Sequence, residues 1–134
     1  MDSVAQRRSL PDVRQSITHK TIIHDLSMGD VSLFLTVGLY PDGTDGYIGK
    51  EPGEVWINIG KVGTTLRGLT DTIAIELSLL LQYGVPLEDL VEQFRGQTYA
   101  PLGETSNPDI PECSSIIDYV VQWLAHRFLR EKKS

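Results

Sequence analysis

The residues best suited to binding chemistry lie in a glycine-punctuated loop, GKVGTT at residues 60–65, which precedes a long apolar run. The free N–H groups and the dipole at a helix N-terminus favour negative charge, so a loop of this kind can hold an anion. Its order differs from the phosphate-binding pattern GxxxxGK(S/T), because Lys61 comes before the second glycine, Gly63. Ordinary helix capping is the commoner explanation of such a loop, so this pattern alone supports a phosphate site only weakly.

Two further segments carry side chains that could contact a ligand or react with one. Asn107 and Asp109 flank Pro108, and these residue types next to proline also form common turns. Cys113 precedes a predicted helix, whose N-terminus could lower the pKa of the thiol. A structural role is nevertheless commoner for a lone cysteine, so we expect Cys113 to be structural.

The three histidines do not form a metal-binding pattern. His19 and His24 lie on the same predicted strand with odd spacing, so their side chains point to opposite faces. His126 lies near a basic helix end, where we expect it to face solvent. No set of cysteines and histidines has the spacing of zinc ligands, so the sequence predicts no metal site.

The charge of the chain is negative and unevenly distributed. The formal net charge is −6, and cations are concentrated near the two ends of the sequence. Between residues 21 and 126 the Lys and Arg residues are Lys50, Lys61, Arg67 and Arg95, whereas most of the 18 carboxylates lie there. Such an acidic body disfavours broad binding to nucleic acid phosphates.

The length and composition predict one globular domain of 134 residues. The single cysteine, the lack of an apolar signal core near the N-terminus and the lack of a run of about 20 apolar residues predict a cytoplasmic protein without a membrane span. Residues 1–8 are expected to form a flexible arm and residues 131–134 a basic tail.

The elements that must position these residues are predicted from periodicity. Alternation and β-branched residues indicate strands at residues 16–24, 31–39 and 54–59. In the second strand Leu33, Leu35 and Val37 share one face and Phe34 the other, and in the third Trp56 faces away from Val55, Ile57 and Ile59. Helical spacing indicates a central helix ending at Gly84, a short helix from Pro86 and a last helix from about residue 116 to 130.

The central helix is expected to be nearly surrounded by protein, with Thr70 or Asp71 as its N-cap. Ser115 with Asp118 resembles a capping box at the start of the last helix. Residues 97–111 are polar and rich in turn formers, and we expect an ordered loop there. Strands followed by helices predict an α+β fold, a small antiparallel sheet of about three strands covered by about three helices.

Several motifs together resemble one family. They are RSLPDVRQSITHK at 8–20, LTVGLYPDG at 35–43, LQYGVPL at 81–87, NPDI at 107–110, and SIIDY at 115–119 followed by Trp123 and Leu124. They resemble the C-terminal accessory module of adenosylcobalamin-dependent (class II) ribonucleotide reductases, called the TSCPD domain, over residues 8–129. Residues 45–52 look like an insertion relative to that family.

The resemblance implies an accessory role rather than catalysis. The catalytic barrel of those reductases, with its radical cysteine and cobalamin site, lies outside the module, so no active-site residue can be carried over to this chain. We therefore expect a free-standing module, from a phage or a bacterium, that is not an enzyme and has no cofactor.

Three hypotheses for function follow. The first is binding, and possible sequestration, of a nucleotide-type small molecule by polar residues shared with that module, namely Arg14, Thr18, His19, Lys20, Lys61, Thr64, Thr65, Asn107 and Asp109. The second is an interaction module that docks on or regulates a ribonucleotide reductase. The third is an enzyme acting on nucleotides, which would depend on Cys113 or His19. We expect a homo-oligomer.

Overall fold

The computed structural model describes residues 6–41, 51–60 and 64–129 of the chain. The elements follow one another as β1 (Ser16–Asp25), β2 (Gly29–Tyr40), β3 (Glu51–Ile59), α1 (Thr65–Gln82), α2 (Leu87–Phe94), β4 (Gly103–Thr105), β5 (Glu112–Cys113) and α3 (Ile116–Phe128). The predicted α+β class is confirmed. The expected arm at 1–8 is described only from residue 6, and the expected tail at 131–134 lies outside the described residues.

The five strands of the described residues form one antiparallel sheet in the order β3-β2-β1-β4-β5. The predicted alternation in β2 and β3 is confirmed, because the apolar residues at every second position are buried. Leu35 illustrates the register: it pairs with His19 of β1 on one side and with Ile57 of β3 on the other. This row and its neighbours form the sheet side of the hydrophobic core.

Helix α1 begins earlier and is more exposed than the sequence predicted. The N-cap is Thr64, whose hydroxyl accepts a hydrogen bond from the backbone N–H of Arg67. Thr70, the predicted cap, lies inside the helix, where its hydroxyl donates to the backbone carbonyls of Leu66 and Arg67. Leu69 is 59% exposed, so the expectation of a nearly surrounded helix was wrong. The Ser78 hydroxyl of α1 bonds the backbone N–H and C=O of Val55 in the edge strand β3, so the helix lies along β3 and buries one side.

The end of α1 and the starts of α2 and α3 lie within one residue of the prediction, and Pro86, predicted as the first residue of α2, is its N-cap. Gly84 has a φ of +88°, the left-handed conformation that glycine adopts without a side-chain clash, and α2 starts after Pro86. The hydroxyl of Ser115 accepts from the N–H of Asp118 at the start of α3. The Asp118 carboxylate in turn accepts from the N–H groups of Gly96 and Ser114, which ties the end of α2 to the start of α3.

Strand β4 lies in the segment 97–111 that was predicted to be a loop, and β5 follows directly after that segment, so the sheet has five strands in the described chain instead of about three. The Asp25 carboxylate fixes this segment, since it accepts hydrogen bonds from Leu102 in the approach to β4 and from Ser27 and Met28 in the β1–β2 turn. These hydrogen bonds from backbone N–H groups lower the pKa of Asp25.

Strand β3 starts before the predicted boundary. Glu51 and Pro52, which were assigned to an insertion at 45–52, pair with Tyr40 and Leu39 of β2. The rest of that predicted insertion, and the turn predicted after Pro41, lie outside the described residues. No helix in the described ranges is long and apolar enough to cross a membrane.

Candidate functional site

One face of the sheet stays exposed and carries an ordered set of side chains. Two rows cross it, one formed by Thr18, Thr36 and Trp56 and the other by Lys20, Phe34 and Asn58. We call these six residues the open face. Trp56 is 51% exposed and Phe34 is 41% exposed, and they are diagonal neighbours on adjacent strands. Two aromatic rings in such an arrangement present flat surfaces on which a planar ligand can stack.

The polar residues of the open face surround the two rings. The ammonium group of Lys20 lies 5.3 Å from the centre of the Phe34 ring, and Lys20 has no ion pair among the described residues. On the other side Asn58 accepts a hydrogen bond of 2.8 Å from Arg67 of α1, which also pairs with Asp71. The face therefore combines stacking surfaces with cations at two of its borders.

Glu54 forms the third border of the open face. Its carboxylate accepts hydrogen bonds from Nε and Nη2 of Arg14 and from the indole nitrogen of Trp56. Glu54 lies over Gly38 of the neighbouring strand, where a Cβ atom would overlap the Glu54 side chain, so this position needs glycine for the close approach. The Arg14 hydrogen bonds to Glu54 are the main cause of a raised Arg14 pKa.

Three arginines meet beside Glu54 in a pocket of 360 Å³ that we call the arginine pocket. Its lining residues are Arg7, Arg8, Ser9, Leu10, Arg14, Glu54 and Gln82. Arg7 donates from Nε to the Gln82 side chain over 2.6 Å, and the backbone N–H of Arg8 donates to the Gln82 carbonyl. The Arg8 guanidinium pairs with Glu51 and stacks 3.8 Å from the centre of the Tyr40 ring.

The opposite face of the sheet holds a separate polar cluster around Tyr119, which is fully buried. The Tyr119 hydroxyl accepts from the Asn107 side chain at 3.0 Å and lies 2.7 Å from Nε2 of His19. Burial lowers the pKa of His19, so its imidazole is neutral near pH 7 and Nε2 can accept a hydrogen bond from the Tyr119 hydroxyl. The His19 ring also stacks on Trp123, with 5.4 Å between centroids.

The nine residues predicted to bind a ligand are not brought to one place. Thr18 and Lys20 lie on the open face and Arg14 lies in the arginine pocket. His19 and Asn107 contact Tyr119 on the other face. The Asp109 carboxylate lies 3.4 Å from Nε2 of His126. Thr64 caps α1 and Thr65 is its first residue. Lys61 lies outside the described residues.

Cys113 does not have the environment of a reactive cysteine. Burial, and secondly the charge of Asp118, raise the pKa of its thiol to about 11, which contradicts the expectation that a helix N-terminus could lower it. His24 pairs with Asp30 on the face away from His19, as the spacing predicted. The described residues contain no group of three or more His, Cys, Asp or Glu side chains that could hold a metal.

The open face was visible in the sequence only in part. The alternation placed Phe34 and Trp56 away from the core, but nothing in the pattern indicated that this face stays exposed. Arg7 and Arg8 were assigned to a flexible arm, and Glu54 was treated only as the first residue of a strand. Their contacts join segments far apart in sequence, and no local signal could have found them.

Comparison with known proteins gives a consistent family. The family model described as the TSCPD domain matches residues 6–128. The chain is 42% identical over 124 residues to a vitamin B12-dependent ribonucleotide reductase of Rhodopirellula baltica, covering 92% of this chain and 11% of that protein. The corresponding protein of Streptomyces avermitilis is 38% identical over 123 residues, covering 92% and 12%.

The chain spans about a tenth of the length of the curated relatives it matches. No solved structure matches the chain. The five letters of the family name, T-S-C-P-D, match the one-letter codes of residues 105–109 except that Asn107 stands where the name has C. Asn107 is the residue whose side chain donates to the Tyr119 hydroxyl.

Proposed function

This chain belongs to the TSCPD domain family, as its motifs indicated, and we propose that it is a non-catalytic module that binds a nucleotide-type small molecule on the open face. The observation that carries the proposal is the pair of exposed rings, Phe34 and Trp56, with the ammonium group of Lys20 beside them, which forms no ion pair within the described ranges. A nucleobase stacks on such rings, and the cation attracts the negative charge of a phosphate.

Several features of the open face support a small ligand over a long nucleic acid. The net charge of −6 opposes a polyanion, and the cations near the open face, Lys20, Arg14 and Arg67, are few. Trp56 is held by its hydrogen bond to Glu54, so little ordering is required when a base stacks on it. The relatives are named for acting on ribonucleotides, which gives a nucleotide ligand a biochemical context.

The environments of the candidate reactive groups support the non-catalytic part of the proposal. Cys113 is 6% exposed and its thiol pKa is about 11, so little thiolate is present near pH 7. His19 is occupied by its contacts with Tyr119 and Trp123. Sequestration of the ligand, a cytoplasmic location and a homo-oligomer remain predictions.

The test is a fluorescence titration with adenosine, cytidine and their triphosphates. The chain has two tryptophans, of which Trp56 is exposed and Trp123 is 7% exposed, so stacking of a base should quench the Trp56 emission. The Trp56→Phe variant identifies the source of the signal because its remaining tryptophan is buried. Native mass spectrometry of the same samples gives the bound mass and the oligomeric state. Emission that stays constant across the panel, with no added mass, would refute nucleotide binding.

A second candidate function is docking on a ribonucleotide reductase. It is favoured by a groove between β3 and α1, where the exposed Ile75 side chain extends the apolar surface of Trp56. The polar lining of this groove is formed by Asn58, Arg67 and Asp71. An apolar centre with a polar rim suits a protein partner. The discriminating variant is Ile75→Glu, with Leu69→Glu as the control because Leu69 is similarly exposed but does not line the groove.

The measurement is a pull-down with a vitamin B12-dependent ribonucleotide reductase. Docking predicts that the reductase is retained by the wild-type chain and by the Leu69→Glu variant, and is lost with Ile75→Glu. Equal retention by both variants would contradict docking through this groove. Failure of the wild-type chain to retain the reductase would contradict the docking function itself.

A further inference from the structure

The arginine pocket is a concentration of positive charge in an acidic protein. Its lining holds three guanidinium groups, those of Arg7, Arg8 and Arg14, against the single carboxylate of Glu54. Glu51 pairs with Arg8 from outside the lining, where both side chains are at least half exposed. The lining residues alone therefore sum to a positive charge, whereas the whole chain carries −6, and the carboxylates of Glu51 and Asp12 act on Arg8 and Arg14 from outside the lining.

The donors of the pocket are only partly used. Nε and Nη2 of Arg14 donate hydrogen bonds to Glu54, and Nη1 donates to the Pro11 carbonyl, so the guanidinium is held in place. Arg7 uses Nε for Gln82, and its two terminal nitrogens donate to no residue in the described part of the chain. The exposed pair of Arg8 with Glu51 is of the kind that contributes little energy and can exchange partners.

The surroundings of Tyr40 give a second indication. Its ring lies under the Arg8 guanidinium, and its hydroxyl is buried without a hydrogen-bond partner among the described residues. Burial raises the pKa of Tyr40, while the charges of Arg8 and Arg7 act in the opposite direction. Both arginines are thus close enough to influence the Tyr40 phenol. The Tyr40 hydroxyl beside the pocket has incomplete hydrogen bonding within the described residues.

We infer that the arginine pocket is a binding site for a small multivalent oxyanion of the phosphate class. Guanidinium groups match the geometry of phosphate oxygens, and a volume of 360 Å³ is in the range of small-molecule sites. The terminal nitrogens of Arg7 and the exchangeable donors of Arg8 supply the contacts, and Arg14 supplies fixed positive charge. The inference is independent of base stacking on the open face, although Glu54 contacts both sites through Arg14 and Trp56.

Inorganic pyrophosphate, titrated into the full chain by isothermal calorimetry at low salt, is the direct probe. We expect binding by the wild-type chain and a loss of affinity of about tenfold or more in Arg7→Gln, because charged hydrogen bonds are lost. Arg95→Gln is the matched control, since Arg95 is exposed and does not line the pocket. Circular dichroism confirms that each variant is folded, and Arg8→Gln provides a second variant with the same expected loss.

The outcomes separate this site from the open face. Absence of pyrophosphate binding, or equal affinity in Arg7→Gln, Arg8→Gln and wild type, would show that the arginines only clamp the N-terminal segment to α1. If a nucleoside triphosphate binds more tightly than pyrophosphate and Trp56→Ala removes the difference, the phosphate belongs to a nucleotide. Equal affinities for the two compounds assign the pocket to a free phosphate compound. Either of these last two results supports the oxyanion site.

Discussion

The indole nitrogen of Trp56 donates a hydrogen bond of 3.2 Å to the carboxylate of Glu54, two residues earlier on the same strand. Both side chains lie on the exposed side of the sheet because successive residues of a strand alternate between faces. The same carboxylate pairs with Arg14, so one buried acid orients an exposed ring and anchors the N-terminal segment. This contact joins the open face to the arginine pocket.

Replacement of Trp56 should weaken nucleotide binding in proportion to the ring surface lost. We expect Trp56→Ala to reduce affinity about tenfold, since base stacking on an aromatic ring contributes about 1–3 kcal/mol. Trp56→Phe should retain more affinity because it keeps a stacking surface, although it loses the bond to Glu54. Calorimetry with a nucleoside triphosphate measures both. Tyr83→Ala is the control, because Tyr83 is similarly exposed at 46% but lies at the end of α1. A loss of equal size in Tyr83→Ala would contradict the assignment.

Gly38→Ala should destabilise the fold by about 1–3 kcal/mol, as expected when a buried site is overpacked. The new Cβ would overlap the Glu54 side chain and displace it from Arg14 and Trp56. Chemical denaturation gives the free energy of unfolding.

Gly68→Ala is the matched control for that prediction. Gly68 lies within α1 with open space around its Cβ position, so alanine should stabilise the protein by about 0.5–1 kcal/mol. Opposite signs for the two variants are expected, and an unchanged stability of Gly38→Ala would show that Glu54 relaxes freely.

The parts of the fold that were predicted correctly are those fixed by local periodicity. The alternation from Val31 to Leu39 identified β2 because one face of that strand is buried along its length. Strands β4 and β5 have three and two residues, too few for a period to show. Strand β4 is held by β1 and by the hydrogen bond of Asp25 to Leu102, and β5 is held by β4. Tertiary contacts, not local preference, determine them.

The candidate sites show the same limit. The sequence indicated which way Phe34 and Trp56 point, but the pair of Arg14 with Glu54 joins residues 40 positions apart, and that of His19 with Tyr119 joins residues 100 apart. Both depend on how the sheet and helices pack. The alternation of the predicted first strand places Thr18 and His19 on opposite faces, but it could not show which residues from distant segments meet each of them.

Tyr119→Phe should cost about 1–3 kcal/mol of stability without changing ligand binding on the open face. Removal of the hydroxyl leaves Nδ2 of Asn107 and Nε2 of His19, both on partly buried side chains, without their partner. Thermal or chemical denaturation measures the loss. Tyr99→Phe serves as the control, because Tyr99 is 38% exposed and its hydroxyl makes no hydrogen bond within the described residues. Similar stabilities of the two variants would show that the Tyr119 hydroxyl bonds contribute little.

The stability of the protein should fall as the pH decreases below about 6.5, because of His19. Burial lowers the pKa of His19 in the folded state, so in this range the unfolded chain binds a proton more readily than the folded chain. The contribution of the neutral imidazole is fully present above the unfolded pKa and is lost as the pH falls through the folded pKa. Asp25, whose pKa is also lowered, acts below its ordinary value of 3.8, so the range between about pH 5 and 6.5 separates the effect of His19 from that of Asp25.

Two measurements check this pH dependence. An NMR titration of the His19 ring protons should give a midpoint below 6.5, and denaturation at several pH values should show stability rising with pH across the range. His19→Gln should remove most of this slope, whereas His24→Gln should keep it, since His24 lies on the exposed face beside Asp30. A His19 midpoint at or above 6.5 would mean that burial does not disfavour its charged form, and the Tyr119 hydroxyl would then not need to donate to Nε2.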